Sequence, residues 1–197
     1  MSTLKEPGYL FLIMGPMFSG KTSLLIEKHN EARQIGLNCC VVNYVGDTRY
    51  GENIIATHDG NSIGAVCVVE LRAIPDLESV IERCDCFFID EAQFFPDLVE
   101  FVVELVDVHG KDVTVCGLNG DHKREVFGDI VKLIPHCDGV EFISGGCNNC
   151  GDDETGGGEK TGGRDSVFSK RVTSEEGQKL IGSDNYISVC RKCYLNN

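Results

Sequence analysis

The chain has 197 residues, about the length of one domain with a small appendage, which excludes a large multidomain assembly. Its 18 lysine and arginine residues against 31 aspartate and glutamate residues give a net charge of −13, so binding to nucleic acid is not expected. Hydrophobic residues make up 42% of the chain, and no apolar run approaches the roughly 20 residues that a membrane-spanning helix needs. We expect a soluble, cytoplasmic protein that is not secreted.

Short apolar runs rich in β-branched and aromatic residues alternate with stretches of helical periodicity. Continuous apolar runs are typical of strands covered on both faces. Six strands are predicted, at residues 9–14, 39–45, 66–71, 86–90, 113–118 and 140–143. Three helices are predicted between them, at residues 21–35, 76–84 and 96–109. This alternation predicts an α/β fold with a mostly parallel sheet.

The composition changes after Ser144, where glycine and charged residues displace the hydrophobic ones. Residues 151–165, with the sequence GDDETGGGEKTGGRD, are predicted to form a flexible insert, because such a composition cannot offset the entropy lost on ordering. Apolar alternation returns around residues 186–189, before a last pair of cysteines. We therefore predict an α/β domain over residues 1–143 and a small metal-binding lobe over residues 144–197.

Residues 15–22, GPMFSGKT, fit the pattern G-x-x-x-x-G-K-[ST] of a phosphate-binding loop between a strand and a helix. The glycines let backbone N–H groups surround phosphate oxygens, and the helix N-terminus directs further donors to the same place. Lys21 is predicted to bind the β- and γ-phosphates, and the Thr22 hydroxyl is placed to bind Mg²⁺. The predicted nucleotide-binding residues of this loop are Gly15, Pro16, Met17, Phe18, Ser19, Gly20, Lys21 and Thr22.

The run CFFIDE at residues 86–91 predicts a buried strand that ends in two carboxylates. Adjacent residues of a strand point to opposite sides. Asp90 is therefore predicted to face the Mg²⁺ ion, through water, and Glu91 to turn toward the attacking group. A solvated pair of acids is the alternative, which the phosphate-binding loop upstream disfavours.

Eleven cysteines without a secretion signal favour metal binding over disulfides. Seven lie among apolar residues and are predicted to pack as small hydrophobes: Cys39, Cys40, Cys67, Cys84, Cys86, Cys116 and Cys137. The other four form two C-x-x-C pairs and predict a closed, structural Zn²⁺ site: Cys147, Cys150, Cys190 and Cys193. Free or redox-active thiols are the alternative for these pairs.

These motifs, in this order, resemble the type II thymidine kinases, a family with cytosolic vertebrate, poxviral and bacterial members. The resemblance covers nearly the whole chain. Matching segments lie at residues 15–22, 47–50, 57–59, 89–96, 117–120, 127–128, 170–171 and 188–194.

The resemblance implies a RecA-like P-loop domain with a zinc lobe that carries a lasso loop. It further implies transfer of the γ-phosphoryl group of ATP to the 5′-hydroxyl of thymidine or deoxyuridine in pyrimidine salvage, with Mg²⁺ as cofactor. Glu91 matches the family's general base, and Asp47 and Arg49 match residues that flank the transferred phosphate. Asp90 and Gln93 are assigned to the same ATP side of the site. A homotetramer and feedback inhibition by thymidine triphosphate are implied by the resemblance alone.

The same resemblance implies a nucleoside pocket. The lasso, here at residues 169–171 and 182–186, binds the base mainly through backbone groups. The residues implied to contact the nucleoside are Met17, Leu118, His122, Phe127, Ser169, Arg171, Gly182 and Tyr186.

Two departures from the family pattern stand out. His122 takes the position where most members stack a phenylalanine on the thymine, so the stacking area is smaller and a titratable group is introduced. The glycine-rich insert before the lasso is much longer than usual, and we expect it to have no catalytic part.

A different class of function is a P-loop protein whose zinc lobe binds nucleic acid. Such a lobe should be basic, but residues 144–197 contain at least as many acidic as basic residues. A nucleotide-binding regulator without activity is a further alternative, which the intact Lys21, Thr22 and Glu91 disfavour.

Overall fold

The computed structural model describes residues 6–47, 53–56, 60–150, 163–174, 177–178 and 185–196. The strands are β1 (Leu10–Met14), β2 (Cys39–Tyr44), β3 (Ile54–Ala56), β4 (Ser62–Gly64), β5 (Val66–Val68), β6 (Cys86–Ile89), β7 (Asp112–Gly117), β8 (Gly139–Phe142), β9 (Gly145–Gly146), β10 (Asp165–Ser166), β11 (Phe168–Arg171) and β12 (Tyr186–Val189). The α-helices are α1 (Lys21–Gln34), α2 (Leu77–Arg83), α3 (Leu98–Asp107) and α4 (Arg191–Leu195). Short 3₁₀ helices span Leu71–Ala73, Ala92–Phe94 and Ile130–His136.

The six predicted strands form one sheet in the order β5-β2-β6-β7-β1-β8. All five neighbouring pairs run parallel. The α/β class and the parallel sheet are therefore confirmed. Because the strands share one direction, their carboxyl ends all reach the same edge, where ligands bind in sheets of this kind.

Apolar side chains cover both faces of the sheet. Along β6, Phe87 and Ile89 pack toward one core cluster, and Cys86 and Phe88 pack toward the other, as the alternation of a strand requires. Helix α3 covers the first face with residues spaced i, i+3, i+4, i+7 and i+8, namely Leu98, Phe101, Val102, Leu105 and Val106. Helix α1 covers the second face with Leu25 and Ile26.

Most of the seven cysteines predicted to pack in the core do so. Cys40, Cys86 and Cys116 are buried, and Cys39, Cys84 and Cys137 pack against the same clusters. Burial, with smaller contributions from Cys84 and Cys39, raises the pKa of Cys40 to about 12, so it stays a neutral thiol. Cys67 is half-buried and belongs to neither cluster within the described chain.

Two short antiparallel ribbons follow the main sheet. Strand β9 pairs with β10, and β11 pairs with β12, above a small cluster of the four C-x-x-C cysteines with Val189 and Phe168. Most of the predicted flexible insert, residues 151–162, lies outside the described residues. Its last part is paired, because Asp165 lies opposite Gly146 and the Cys147 N–H donates to the Arg164 carbonyl, 3.0 Å away.

Several short elements were not predicted from the sequence. They are the β3–β4 hairpin, β9, β10, β11, α4 and the three 3₁₀ helices, of which Ile130–His136 contains Pro135. Among the described helices, none is long and apolar enough to cross a membrane.

Candidate active site

The segments that carry the predicted chemistry follow four adjacent strands at their carboxyl ends. The phosphate-binding loop follows β1, Asp90 and Glu91 follow β6, Leu118 follows β7, and Asp47 lies beyond β2. These strands are consecutive in the order β2-β6-β7-β1. The fold thus brings segments more than 70 residues apart in the sequence to one edge.

The phosphate-binding loop depends on two glycines for different reasons. At Gly15 a side chain would lie 2.2 Å from the Ile143 carbonyl oxygen, so only hydrogen fits there. Gly20, at the N-cap of α1, has a φ of +90°, which an L-residue with a side chain rarely adopts. The loop therefore packs tightly against the end of β8 and turns abruptly into the helix.

Thr22 and Asp90 meet at the base of this loop. The Thr22 hydroxyl donates to Asp90 Oδ2 at 3.0 Å, and Asp90 is buried with a side chain that also accepts from the Glu91 N–H. The Lys21 ammonium lies over the loop and donates to the Pro16 carbonyl at 2.6 Å. A hydroxyl and a carboxylate, both hard oxygen ligands, are thus side by side next to a lysine.

Cys116 lies beneath this group on β7. Burial, and then the negative charge of Asp90, raise its pKa well above the usual value, although Lys21 acts in the opposite direction. The thiol therefore stays neutral and does not compete for a metal at this edge.

Glu91 has a strained backbone. Its φ of 50° and ψ of 37° lie in the left-handed region, which costs a residue with a side chain roughly 1–2 kcal/mol. Backbone strain of this kind is found most often at active sites. The turn it makes brings the Gln93 amide back, so that Gln93 Nε2 donates to Glu91 Oε2.

Gln93 joins the acid to the neighbouring strand. Its side chain is buried, and its Oε1 accepts from the Leu118 N–H at 2.9 Å. The sequence places Gln93 on the ATP side; these two hydrogen bonds place its amide between Glu91 and Leu118. Glu91 is consequently held by a partner that is itself fixed by β7.

Aromatic side chains lie beyond Gln93. Phe94 packs against Tyr44 at 4.9 Å and against Phe127 at 5.5 Å between ring centroids. Asp47 follows Tyr44 in a turn, with its N–H donating to the Tyr44 carbonyl. Phe127 is thus linked to the end of β2, where Asp47 lies.

The β11–β12 ribbon holds the phosphate-binding loop by the backbone of one residue, Met17. The Met17 N–H donates to Ser169 Oγ at 2.9 Å, and Ser188 Oγ donates to the Met17 carbonyl. Ser169 and Ser188 face each other in the ribbon and are both buried. Ser188 was not among the predicted site residues, although it lies in a segment that matches the family, two residues before Cys190. Phe18, next in the loop, is half exposed.

Arg171 and Tyr186 form a pair one step further along the ribbon. The guanidinium lies over the Tyr186 ring at 5.1 Å and donates to its hydroxyl. It also donates to the Gly177 carbonyl at 2.5 Å. Arg171 is therefore bound to the segment that precedes β12 as well as to the ribbon itself.

His122 lies close enough to Arg171 to interact electrostatically. Burial, then the positive charges of Arg171 and Lys123, lower the pKa of His122, with Asp121 acting in the opposite direction. The Nδ1 atom is buried and has no hydrogen-bond partner within the described residues. A neutral imidazole with one free nitrogen is the state that this environment favours.

The four cysteines of the two C-x-x-C pairs converge. Their sulfur atoms all lie within 4.8 Å of one another, and Cys150 Sγ is 3.6 Å from both Cys190 Sγ and Cys193 Sγ. Four thiolates around Zn²⁺ lie about 3.8 Å apart, given Zn–S bonds of about 2.3 Å. The cluster therefore fits zinc.

The surroundings of Cys147 favour its thiolate form. Burial opposes its ionisation, but N–H groups of Cys190, Asn149 and Cys150 outweigh it and lower the pKa to about 6. The Cys190 N–H donates to Cys147 Sγ at 3.2 Å. A thiolate at neutral pH is the form that binds zinc.

Two predicted site residues, Arg49 and Gly182, lie outside the described residues. Among the described ones, three sets are brought into contact. The first set lies at the base of the phosphate-binding loop and consists of Lys21, Thr22, Asp90 and Glu91. In the second, Met17 is hydrogen-bonded to Ser169. In the third, Arg171 is hydrogen-bonded to Tyr186 and interacts electrostatically with His122.

A parallel α/β sheet with a glycine-rich loop between β1 and α1, and a strand-end aspartate bonded to that loop's threonine, defines a P-loop protein. The thymidine kinase family profile matches residues 8–194. A thymidine kinase of Sheeppox virus (strain KS-1) is 39% identical, with 95% of this chain and 97% of the viral protein aligned.

Similarity extends to plants and animals. A thymidine kinase of Oryza sativa subsp. japonica is 37% identical over 96% of this chain and 67% of its own length. A cytosolic thymidine kinase of Bos taurus is 35% identical over 98% of this chain and 75% of its own length. The chain belongs to the thymidine kinase family and is a phosphotransferase.

Proposed function

We propose that this protein transfers the γ-phosphoryl group of ATP to the 5′-hydroxyl of thymidine, and of deoxyuridine, to give the nucleoside monophosphate in pyrimidine salvage. Family membership supports the reaction. The observation that carries the site is the hydrogen bond between Thr22 and Asp90 beside the strained Glu91. It supports the assignment of Thr22 and Asp90 as a metal-binding pair and of Glu91 as the base beside the phosphate-binding loop.

The triphosphate of ATP binds in the loop at residues 15–22. Its backbone N–H groups and the N-terminus of α1 donate to phosphate oxygens, and Lys21 leaves the Pro16 carbonyl to contact the β- and γ-phosphates. Thr22 and Asp90 would hold Mg²⁺, which supplies charge neutralisation on the phosphates. Asp47 and Arg49 are proposed to flank the transferred group.

Glu91 is the proposed general base. It accepts the proton of the 5′-hydroxyl as that oxygen forms its bond to the γ-phosphorus, while the bond from the γ-phosphorus to the bridging oxygen of ADP breaks. Gln93 Nε2 donates to Glu91 Oε2, so the amide fixes the direction of the carboxylate that accepts the proton. Gln93 thus orients the base.

The nucleoside is proposed to bind between the loop after β7 and the β11–β12 ribbon. The described residues assigned to it are Met17, Leu118, His122, Phe127, Ser169, Arg171 and Tyr186. The zinc cluster is structural, because four protein ligands leave no open position. We assign residues 1–143 to the nucleotide domain and residues 144–197 to the zinc lobe, in a cytoplasmic homotetramer that thymidine triphosphate inhibits.

A direct assay tests the function. The purified protein is incubated with Mg²⁺, ATP labelled at the γ-phosphate and a panel of nucleosides, and labelled monophosphate is separated and counted. We expect turnover of thymidine and deoxyuridine and none of purine nucleosides. No turnover of any pyrimidine deoxynucleoside would refute the proposal. Binding to DNA that falls steeply with salt would favour the nucleic-acid alternative.

His122 gives the nucleoside site a pH dependence that can be measured. Because the pKa of His122 is lowered, its imidazole is neutral at pH 7 and gains a positive charge beside Arg171 only below the usual histidine range of about 6.5. We expect the KM for thymidine to rise several-fold as the pH is lowered to 5.5 in the unmodified protein.

His122→Phe is the matched variant. Its ring cannot titrate, so its KM should change less over the same pH range. A larger aromatic surface should also lower the KM at pH 7.5 by about 2- to 10-fold, which corresponds to about 0.5–1.5 kcal/mol of stacking. Identical pH profiles of the KM for thymidine in both proteins would show that His122 is not part of the nucleoside site.

A further inference from the structure

The loop that follows β7, residues 118–128, is built around one aspartate. Asp121 Oδ1 accepts from the N–H groups of Lys123 and Glu125, at 2.8 and 2.9 Å, and Gly120 forms a β-bridge with Val126. Arg124, at the tip, has a left-handed φ of 66°. These contacts give the loop its shape, but they do not fix its position relative to the rest of the site.

The start of the loop is held by the hydrogen bond from the Leu118 N–H to Gln93, and the C-terminal part of the chain adds several contacts further along. The Tyr194 hydroxyl donates to the His122 carbonyl at 2.7 Å. The Arg124 guanidinium lies 4.7 Å from the centre of the Tyr194 ring. Gln178 Nε2 donates to Asp121 Oδ2 at 2.8 Å. Gln178 Nε2 also donates to the Val126 carbonyl at 3.4 Å, and the Arg124 guanidinium lies 5.6 Å from the centre of the Phe168 ring. Tyr194 thus makes the hydrogen bond to His122 and one of the two ring contacts of Arg124.

Tyr194 is itself held by the cysteine cluster. It follows Cys193 in α4, and its N–H donates to the Cys190 carbonyl at 2.9 Å. Its ring packs against Phe168 of β11 at 5.3 Å between centroids. The position of its hydroxyl therefore depends on the two cysteines of the last C-x-x-C pair.

We propose that Tyr194 is a positioning residue that sets the place of His122 and of residues 118–128 in the nucleoside site. It links the geometry of the cysteine cluster to nucleoside binding across more than 70 residues of sequence. This inference rests on the proposed function, because it takes His122, Leu118 and Phe127 as nucleoside contacts. It assigns no chemical step to Tyr194.

Tyr194→Phe is the decisive variant, because it removes only the hydroxyl and keeps the ring that packs against Phe168 and Arg124. Loss of one neutral hydrogen bond that positions a binding residue should raise the KM for thymidine about 2- to 10-fold. The kcat and the KM for ATP should stay within twofold, because the contacts given above for Tyr194 go to the loop after β7, to Cys190 and to Phe168. Tyr9→Phe, at a half-exposed tyrosine before β1, is the matched control and should change neither KM.

Amide hydrogen exchange provides a readout that does not depend on turnover. Residues 118–128 should exchange faster in Tyr194→Phe than in the unmodified protein, while residues 10–14 of β1 should not change. Zinc content should remain the same in both. Unchanged exchange of residues 118–128, or an unchanged KM for thymidine, would overturn the proposal.

Arg124→Ala separates positioning from a general loss of structure. It removes the loop's contacts with the Tyr194 and Phe168 rings and makes no change to the four cysteines. We expect the same increase in the KM for thymidine alone. If Tyr194→Phe loses zinc and Arg124→Ala has no effect, Tyr194 has a structural role only and the proposal fails. If the unmodified protein phosphorylates no nucleoside, the proposed function fails, and the exchange data alone decide whether Tyr194 holds the loop.

Discussion

Replacing Glu91 with glutamine is expected to lower the kcat for thymidine by about 10²- to 10⁴-fold, the usual contribution of a general base. Glutamine keeps the size of the side chain and an oxygen that can accept from Gln93, so the site should keep its shape. The KM for ATP should remain within twofold, because Glu91 acts on the acceptor hydroxyl. Steady-state kinetics with thymidine and ATP varied in turn measure the kcat and the KM for ATP.

The control for this experiment is Glu27→Gln, at an exposed glutamate of α1. It makes the same chemical change and should leave kcat unaltered. A second diagnostic is the pH profile, since the acidic limb of kcat reports the base in the bound complex and should disappear in Glu91→Gln. Full turnover in Glu91→Gln would exclude Glu91 as the base.

Replacing Cys190 with serine is expected to abolish stoichiometric zinc binding and to lower the activity strongly. Structural zinc in small domains contributes apparent free energies of about 10–16 kcal/mol, and a hydroxyl is a poor substitute for a thiolate ligand. Cys190 follows β12 directly, and β12 carries Ser188, which holds Met17 of the phosphate-binding loop. Losing the cluster should therefore raise the KM for ATP as well as that for thymidine.

Zinc content by atomic emission and the melting temperature measure the outcome. Cys137→Ser is the control, because Cys137 is a half-buried thiol that donates to the Ile134 carbonyl away from the cluster. We expect about one zinc per chain in the control and in the unmodified protein. Full zinc occupancy in Cys190→Ser, with an unchanged melting temperature, would contradict a four-cysteine site.

The strands and helices of the main sheet could be predicted because their signal is local. Continuous apolar runs marked all six strands, and the i, i+3, i+4 spacing from Leu98 to Val106 marked α3. The C-x-x-C pairs and the phosphate-binding loop could be predicted as well, because each motif fixes several residue types at set distances. The β3–β4 hairpin was missed, since strands of three residues carry too little periodicity.

The order of the strands and the links between segments could not be predicted, because they join residues far apart. The hydrogen bond from Ser188 to Met17 spans 171 residues, and nothing in the local sequence around either residue indicates it. The position of Gln93 depends on the left-handed turn at Glu91, an unusual conformation for a glutamate that sequence statistics do not predict.

At Glu91 the residue that would best stabilise the fold differs from the residue that the proposed reaction needs. Glycine would adopt the left-handed conformation of this residue without steric cost and so relieve the clash that the glutamate side chain causes. It would also delete the carboxylate that we propose as the general base. If Glu91 is the base as proposed, selection for thermal stability alone would favour glycine at this position, and the need for the carboxylate would explain why glutamate is kept.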